Sequence, residues 1–161
     1  MPCIRRRITV KGIKPIQKVH FQFDNYYLYG AVEPLSGDSF ILEMPYLNSN
    51  CFQLFLDELS HQYKDDFMIM ILDNSATHKA KSLVIPNNIL LLFLPPYSPE
   101  LNPIERLWQH IKSKISFSLF ETLDELKQEV SDILMDCTES MIASLTGYSY
   151  IVNAITSLMQ H

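Results

Sequence analysis

The stretch Leu94-Pro95-Pro96-Tyr97-Ser98-Pro99-Glu100-Leu101-Asn102-Pro103-Ile104-Glu105-Arg106-Leu107-Trp108 constrains the backbone more than any other part of the chain. Its closely spaced prolines exclude a helix or a central strand at the start, so an apolar strand is predicted to end at about Leu94. Asn102 is a favourable helix N-cap, and Pro103 suits the first helical position, where no backbone N–H is needed. Glu105 is therefore expected in the first turn of a helix, at the exit of a rigid loop.

Two roles are open for Glu105. A carboxylate held stiffly at a helix start is a candidate metal ligand or acid/base group. Asn102 and Glu105 also have the spacing of a capping box, in which Glu105 would only cap its own helix. The sequence geometry alone favours the cap, because capping boxes are common helix starts.

The composition restricts the class of protein. A chain of 161 residues with 47% apolar content is expected to form one domain with a sizeable core. Cys3, Cys51 and Cys137 lack metal-ligand spacing and are expected to be reduced thiols of a cytoplasmic protein. No apolar run is long enough to cross a bilayer, so no membrane is expected as a partner. The chain also lacks a glycine-rich phosphate loop and a hydrolase nucleophile elbow.

Charge is distributed unevenly along the chain. The formal net charge is −5, yet residues 1–20 contain basic side chains and no acid. This basic segment either contacts phosphates or is a solvated tail, and it includes Arg5, Arg6, Arg7 and Lys11. The acidic segment 121–139 is expected to be the solvated face of a helix.

Residue patterns predict an α/β order of elements. Strands at 26–32 and 40–44 are expected to form a hairpin. Apolar residues at helical spacing predict a helix at 50–63 with these core positions: Phe52, Phe55, Leu56 and Leu59. The runs 67–72 and 89–94 are apolar without alternation, which is typical of parallel strands buried on both faces. A short helix is predicted at 77–84, and another from the Thr122 capping box to about Cys137. A third is predicted to start at Pro103, with a core stripe of Ile104, Trp108, Ile111 and Ile115. One or two more are predicted within 139–159, broken at Gly147.

Two acids fall where ligands bind in open α/β sheets, at the carboxyl ends of parallel strands. Asp73 ends the first buried strand, and Glu105 follows the second through the proline loop. A pair of carboxylates suits a hard cation such as Mg²⁺. Asn74 and His78 lie near the same strand end and could position a substrate, although Asp73 is equally explained as a turn residue.

The residues carry a resemblance to a known family. The motifs Leu72-Asp73-Asn74-Ser75-Ala76-Thr77-His78-Lys79 and 94–105 look like the catalytic domain of Tc1/mariner-type transposases, the bacterial insertion-sequence branch in particular. The segment 29–37 resembles the hairpin of that domain, and Lys11-Gly12-Ile13-Lys14-Pro15 resembles its preceding loop. The similarity extends over nearly the whole chain.

The resemblance implies an RNase H-like (DDE integrase/transposase) α/β sandwich with three acids that bind two Mg²⁺ or Mn²⁺ ions. It implies DNA as the substrate, with cleavage at transposon ends followed by strand transfer. Asp73 would be the second acid and Glu105 the third. Asn74, His78 and Asn102 would position the substrate, and the basic N-terminal residues Arg5, Arg6, Arg7 and Lys11 would bind DNA.

The first acid departs from the family pattern. It is expected on the first central strand, upstream of the 11–15 loop, yet none of the ten residues before that loop is acidic. Asp24 and Asp38 follow the loop and do not match the position. We therefore expect residues 1–161 to be a partial catalytic domain without its first strand or helix-turn-helix region, and to be inactive alone.

This expectation leaves several partners and functions open. A separately encoded N-terminal transposase part could supply the missing strand, and a homodimer is a further expected assembly. The alternative is a non-catalytic transposase remnant or interaction module. A third hypothesis is an unrelated metal-dependent nuclease that uses Asp24 in place of the absent acid.

Overall fold

The computed structural model describes residues 25–75, 82–96, 98–116 and 118–159. The described chain begins with an antiparallel hairpin, as the sequence predicts. Strand β1 (Tyr27–Val32) pairs with strand β2 (Ser39–Met44), so that Tyr27 lies opposite Met44 and Val32 opposite Ser39. Gly37 in the connecting turn has a φ of 81°, a left-handed conformation that glycine adopts without a steric penalty.

Helix α1 (Ser49–Gln62) follows the hairpin. Asn48 caps it, because the Asn48 side-chain oxygen accepts a hydrogen bond from the Cys51 N–H at 2.9 Å. The helical periodicity in the sequence is confirmed, since the predicted core positions are all buried: Phe52, Phe55, Leu56 and Leu59.

The two continuous apolar runs form a parallel pair. Strand β3 (Met68–Leu72) lies beside strand β4 (Ile89–Phe93), with Met68 opposite Ile89 and Leu72 opposite Phe93. The connection between them lies partly outside the described residues. The short helix predicted at 77–84 cannot be followed through 76–81, and residues 82–84 are not helical.

Four helices complete the described chain. They are α2 (Ile104–Ile115), α3 (Leu123–Asp136), α4 (Glu139–Thr146) and α5 (Ser149–Met159). Gly147 separates α4 from α5, as the sequence predicts. The structure is therefore a mixed α/β fold, and none of its described helices is long and apolar enough to cross a membrane.

The hairpin is buried on both of its faces. Helix α1 packs on one face in a cluster that includes Tyr29 of β1 and Met44 of β2. Helices α2, α3 and α4 pack on the other face, where Leu28 and Ile41 contact their buried side chains. The predicted stripe on α2 holds for Ile104 and Ile111, which are buried, and for Trp108 and Ile115, which are partly buried against this cluster.

The parallel pair differs from the prediction. Met68, Met70 and Leu72 pack toward the α1 cluster, but the alternate residues of both strands face outward. Their side chains are 42–51% exposed: Ile69, Ile71, Leu90 and Leu92. Burial on both faces is therefore wrong for the described structure, because no element of its residues covers the second face. The hairpin and the parallel pair also form two separate two-stranded sheets.

Candidate functional site

The first part of the candidate site lies at the carboxyl ends of strands β3 and β4. The Leu94 N–H donates to the Leu72 carbonyl oxygen at 2.8 Å, so the chain beyond β4 stays beside the last residue of β3. The Asn74 side-chain amide donates to the Leu94 carbonyl oxygen, which ties the two strand ends together. Asp73 lies between these two links and is exposed. Hydrogen bonding on both sides of Asp73 therefore fixes the backbone that carries its carboxylate.

Asp73 also has a local hydrogen bond. Its Oδ1 accepts from the Ser75 N–H at 3.0 Å, which is the geometry of an Asx turn. The turn role that the sequence left open for Asp73 is thus present. It does not exclude a metal role, because an ionised carboxylate has about four lone-pair sites and one backbone bond uses a single site.

Glu105 lies in the first turn of α2 and is partly buried. The predicted capping box with Asn102 does not form. The Glu105 N–H is instead paired with the Asn102 backbone carbonyl at 3.2 Å, and the Arg106 N–H with the Pro103 carbonyl at 3.1 Å. Because these backbone bonds satisfy the first-turn donors, no side chain caps the helix. The cap is therefore wrong as the explanation of Glu105.

At the start of α3 the predicted cap by Thr122 forms, but the Glu125 carboxylate bonds the residue before the N-cap instead of the N-cap itself. The Glu125 N–H donates to the Thr122 hydroxyl at 3.2 Å, and the Glu125 carboxylate accepts from the Glu121 N–H at 2.9 Å. This helix start shows what a capping glutamate does in this fold. Glu105 makes no such bond among the described residues, so its carboxylate is not committed to its own helix.

Two features that sequence reasoning missed hold the loop before Glu105. A 3-10 turn at Pro99–Leu101 precedes α2, and the Tyr150 hydroxyl donates to the Glu100 carbonyl at 2.9 Å. Tyr150 stacks on Tyr148 with a centroid distance of 5.5 Å, and the Arg106 guanidinium lies 5.0 Å from the Tyr148 ring centroid. The start of α5 thus anchors the turn that leads to Glu105.

Gly30 sets how closely α2 approaches the hairpin. A Cβ at this position would lie 2.8 Å from the Ile104 Cδ1 and 2.8 Å from the Trp108 Cη2. Helix α2 therefore rests against bare backbone of β1. This packing supports the predicted core role of Trp108.

The predicted site residues are only partly within the described structure. Asp73 and Asn74 lie together at the end of β3, and Asn102 and Glu105 lie at the start of α2. The remaining predicted site residues, together with Asp24, lie outside the described residues: His78, Arg5, Arg6, Arg7 and Lys11. Two surface depressions of the described chain are lined by other residues, among them Glu43, so neither includes Asp73 or Glu105.

The donor set fits a divalent metal only in part. Two carboxylates suit Mg²⁺, which binds proteins through one or two carboxylates and completes its shell with water and substrate phosphates. The described residues contain no group of three His, Cys, Asp or Glu side chains that could hold an ion. Asp73 and Glu105 thus remain candidate ligands, and no group of three ligands forms around either of them among the described residues.

Comparisons with known proteins identify the family of the chain. Residues 2–127 match the family model of the DDE superfamily endonucleases, which is more than half of the chain. The chain is also similar to the uncharacterized protein y4pE/y4sA of Sinorhizobium fredii (strain NBRC 101917 / NGR234), with 37% identity over 102 residues. That match covers 62% of this chain and 76% of the relative. No solved structure matches the chain.

The chain therefore belongs to the DDE superfamily endonucleases. Enzymes of this superfamily act on DNA and generally use divalent metals.

Proposed function

We propose that residues 1–161 are part of the catalytic domain of a Tc1/mariner-type transposase of the bacterial insertion-sequence branch, with an RNase H-like fold. Asp73 is the second acid of its triad and Glu105 the third. The observation that carries the proposal is the Glu105 carboxylate, which lies in the first turn of α2 and makes no capping bond. A first-turn glutamate without a structural role, in a chain of this family, is best explained by catalysis.

Some residues of the proposed site would bind metal, and others orient the metal ligands. The Asp73 and Glu105 carboxylates would hold Mg²⁺ or Mn²⁺, and bound ions of this kind activate water and stabilise the leaving oxygen of a phosphodiester. The Asn74 amide keeps the ends of β3 and β4 together and so orients Asp73. The stacked Tyr148 and Tyr150 hold the loop that orients Glu105.

Substrate binding is assigned to residues near the acids and at the N-terminus. Asn102 and His78 position the DNA strand, and the basic side chains of the N-terminal segment bind backbone phosphates: Arg5, Arg6, Arg7 and Lys11. A site with only two of its three acids binds metal weakly. We therefore expect these residues alone to give little cleavage or strand transfer. An N-terminal transposase part that carries the first acid would complete the site.

Calorimetric titration with Mn²⁺ tests the proposal. The wild type is expected to bind Mn²⁺ weakly at one site, and both Asp73→Ala and Glu105→Gln are expected to abolish that binding. The matched control is Asp124→Asn, which removes an exposed first-turn carboxylate from α3 and should leave the titration unchanged. If all four proteins gave the same isotherm, the carboxylate pair would not be a metal site.

One observation favours a second candidate, a non-catalytic remnant or interaction module. The described residues contain no complete group of three metal ligands. A nicking assay on supercoiled plasmid DNA with Mn²⁺ separates the two candidates when the N-terminal part is added. Nicking that requires Glu105 supports the enzyme, whereas binding of the added part without nicking supports the module.

A further inference from the structure

The start of α5 carries two tyrosine rings in a parallel stack. The ring centroids of Tyr148 and Tyr150 are 5.5 Å apart, and the ring planes are 7° from parallel. The Arg106 guanidinium lies 5.0 Å from the centroid of the Tyr148 ring, within the range of a cation–π contact. We call these three side chains, Arg106, Tyr148 and Tyr150, the tyrosine platform.

The tyrosine platform is attached to the chain on both sides of Glu105. Arg106 directly follows Glu105 in the first turn of α2. On the other side, the Tyr150 hydroxyl donates to the backbone carbonyl of Glu100 at 2.9 Å. A ligand of the platform would therefore lie close to whatever binds at the Glu105 carboxylate.

The Tyr150 ring is both accessible and held in place. Its side chain is 47% exposed, and one ring face lies against Tyr148, so the other face is open to a ligand. The hydrogen bond to Glu100 fixes the orientation of the ring, which lowers the entropy cost of stacking on it. This hydrogen bond accounts for the hydroxyl, but it does not require an exposed ring parallel to a second ring.

The charge on the platform suits an anion. Arg106 is exposed, and no acid among the described residues forms an ion pair with it. Its guanidinium donates to the Gln109 side-chain oxygen at 3.3 Å, which leaves most of its five donors for another group. Residues 140–161, which include α5, contain no Asp or Glu that would repel an anion. The acids close to the platform in the chain are Glu100 and Glu105, and Glu105 is the proposed metal ligand.

A flat ring beside an arginine matches the chemistry of a single nucleic-acid strand. Proteins bind such strands by stacking bases on aromatic rings and by placing cations along the phosphates. Inside a duplex both faces of a base are covered by its neighbours. The Tyr150 ring can therefore accept only a base that is unpaired or at a strand end.

We propose that Tyr150 stacks on an unpaired base of the DNA strand that is cut at Glu105. Arg106 binds a neighbouring phosphate of that strand, and Tyr148 supports the Tyr150 ring. The substrate class is then DNA whose two strands are separated beside the bond to be cut. The position of the cut rests on the function proposed above, whereas the stacking itself rests only on the tyrosine platform.

Fluorescence anisotropy with the full chain tests the stacking. The probe is a labelled single-stranded DNA of about 12 nucleotides, measured in EDTA so that metal binding does not enter. Tyr150→Leu should weaken binding about fivefold to a hundredfold, which corresponds to the loss of one base stack. Tyr150→Phe keeps the ring and should bind as the wild type does. The matched control is Tyr46→Leu, which removes an exposed tyrosine beyond the end of β2 and should have no effect.

The salt dependence of the same binding tests Arg106. Arg106→Gln should lower the slope of log K against log salt concentration by about 0.7, the value for one phosphate contact with a single strand. Arg106→Lys keeps the charge and should keep the slope. Tyr150→Leu should weaken binding without changing the slope, since stacking releases no counterion. A blunt duplex of the same length should bind wild type and Tyr150→Leu equally well.

A fluorescent base detects the stacking without any variant, and it remains informative if Tyr150→Leu does not fold. The probe is the single strand with one 2-aminopurine flanked by thymines, excited beyond the absorption of Trp108. Wild type and Tyr150→Phe should quench the 2-aminopurine fluorescence, and Tyr150→Leu should not. An unchanged fluorescence with bound wild type would overturn the proposal.

The other outcomes are equally decisive. Weak binding by Tyr150→Phe would show that only the hydroxyl matters, as expected for a purely structural anchor, and would overturn the proposal. Equal binding by Tyr150→Leu and wild type, or no binding of the single strand by the wild type, would do the same.

The function proposed above fails or succeeds separately, because Mn²⁺ binding is titrated without DNA and DNA binding is measured without metal. Stacking without Mn²⁺ binding at Asp73 and Glu105 would support the tyrosine platform and refute the metal site. Mn²⁺ binding without stacking would refute the platform alone. Glu105→Gln should bind the single strand in EDTA at least as well as the wild type, since it removes a negative charge beside the platform.

Discussion

Replacing Gly30 by alanine tests how α2, and with it Glu105, is placed on the hairpin. The added methyl would lie 2.8 Å from the Trp108 Cη2 and 2.9 Å from its Cζ2. Normal carbon contacts are about 3.5–4.0 Å, so the two groups would overlap by about 1 Å. The Ile104 methyl, also 2.8 Å away, is the end of a rotatable side chain and can move. The rigid indole cannot.

The expected magnitude follows from these contacts. Overpacking of this kind costs about 1–3 kcal/mol, while alanine in a strand recovers about 0.5–1 kcal/mol relative to glycine. Gly30→Ala should therefore lower the free energy of unfolding by about 1–2 kcal/mol. Gly30 does not have a left-handed backbone, so backbone strain adds nothing to the effect.

Urea unfolding measures this change, and Trp108, the single tryptophan of the chain, reports it by fluorescence. The midpoint should fall by about 0.5–1 M urea. In a Trp108→Phe background, followed by circular dichroism, Gly30→Ala should cost nothing or stabilise, because the indole atoms that it contacts are absent. An equal cost in both backgrounds would refute the packing argument.

Further predictions concern turns, caps and pH. Gly37→Ala should cost about 3 kcal/mol or more in thermal unfolding, because its Cβ would lie 1.8 Å from the Glu139 carbonyl oxygen and its φ is left-handed; a small change would contradict this close approach. Thr122→Ala should cost about 1 kcal/mol by the same assay, whereas Asn102→Ala should cost less than about 0.5 kcal/mol, since of these two side chains only that of Thr122 caps its helix; equal costs would contradict the assigned caps. Partial burial raises the pKa of Glu33, but hydrogen bonds from the Ser36 hydroxyl and from backbone N–H groups outweigh it and hold the pKa below 4.5. The stability that Glu33 contributes should thus be complete above pH 4.5 and be lost as the pH falls through the folded pKa. The urea midpoints of wild type and Glu33→Gln should then differ less at pH 3 than at pH 7. The same difference at both pH values would argue against a stabilising role for the Glu33 carboxylate.

Local patterns predicted the elements that depend on local physics. Helical spacing identified Phe52 and Leu59 as core positions of α1, and continuous apolar runs identified the parallel strands. Such periodicity follows from the direction of successive side chains and needs no knowledge of distant residues. It could not show that Ile69 and Ile71 are exposed, because burial of a second face depends on what else packs there.

The two capping boxes show a second limit. Asn102–Glu105 and Thr122–Glu125 have the same spacing, yet only at the second does the first residue cap its helix through its side chain. The difference lies in the preceding backbone. The Asn102 backbone carbonyl accepts the hydrogen bond from the Glu105 N–H, which in a capping box would go to the Asn102 side chain. The turn before α2 is anchored by the Tyr150 hydroxyl. Tyr150 is far from this turn in sequence and belongs to no recognisable motif.

The hairpin is the one described sheet that contributes to both buried clusters, and this has a consequence for cooperativity. Helices α2 to α4 and helix α1 are coupled through β1 and β2, whereas β3 and β4 contact the core only through the α1 cluster. Regions with few buried contacts open at lower free energy than the molecule as a whole. The parallel strands should therefore behave as a separate unit of local unfolding in the native state. Asp73 would then follow a strand that opens more easily than the helix that carries Glu105.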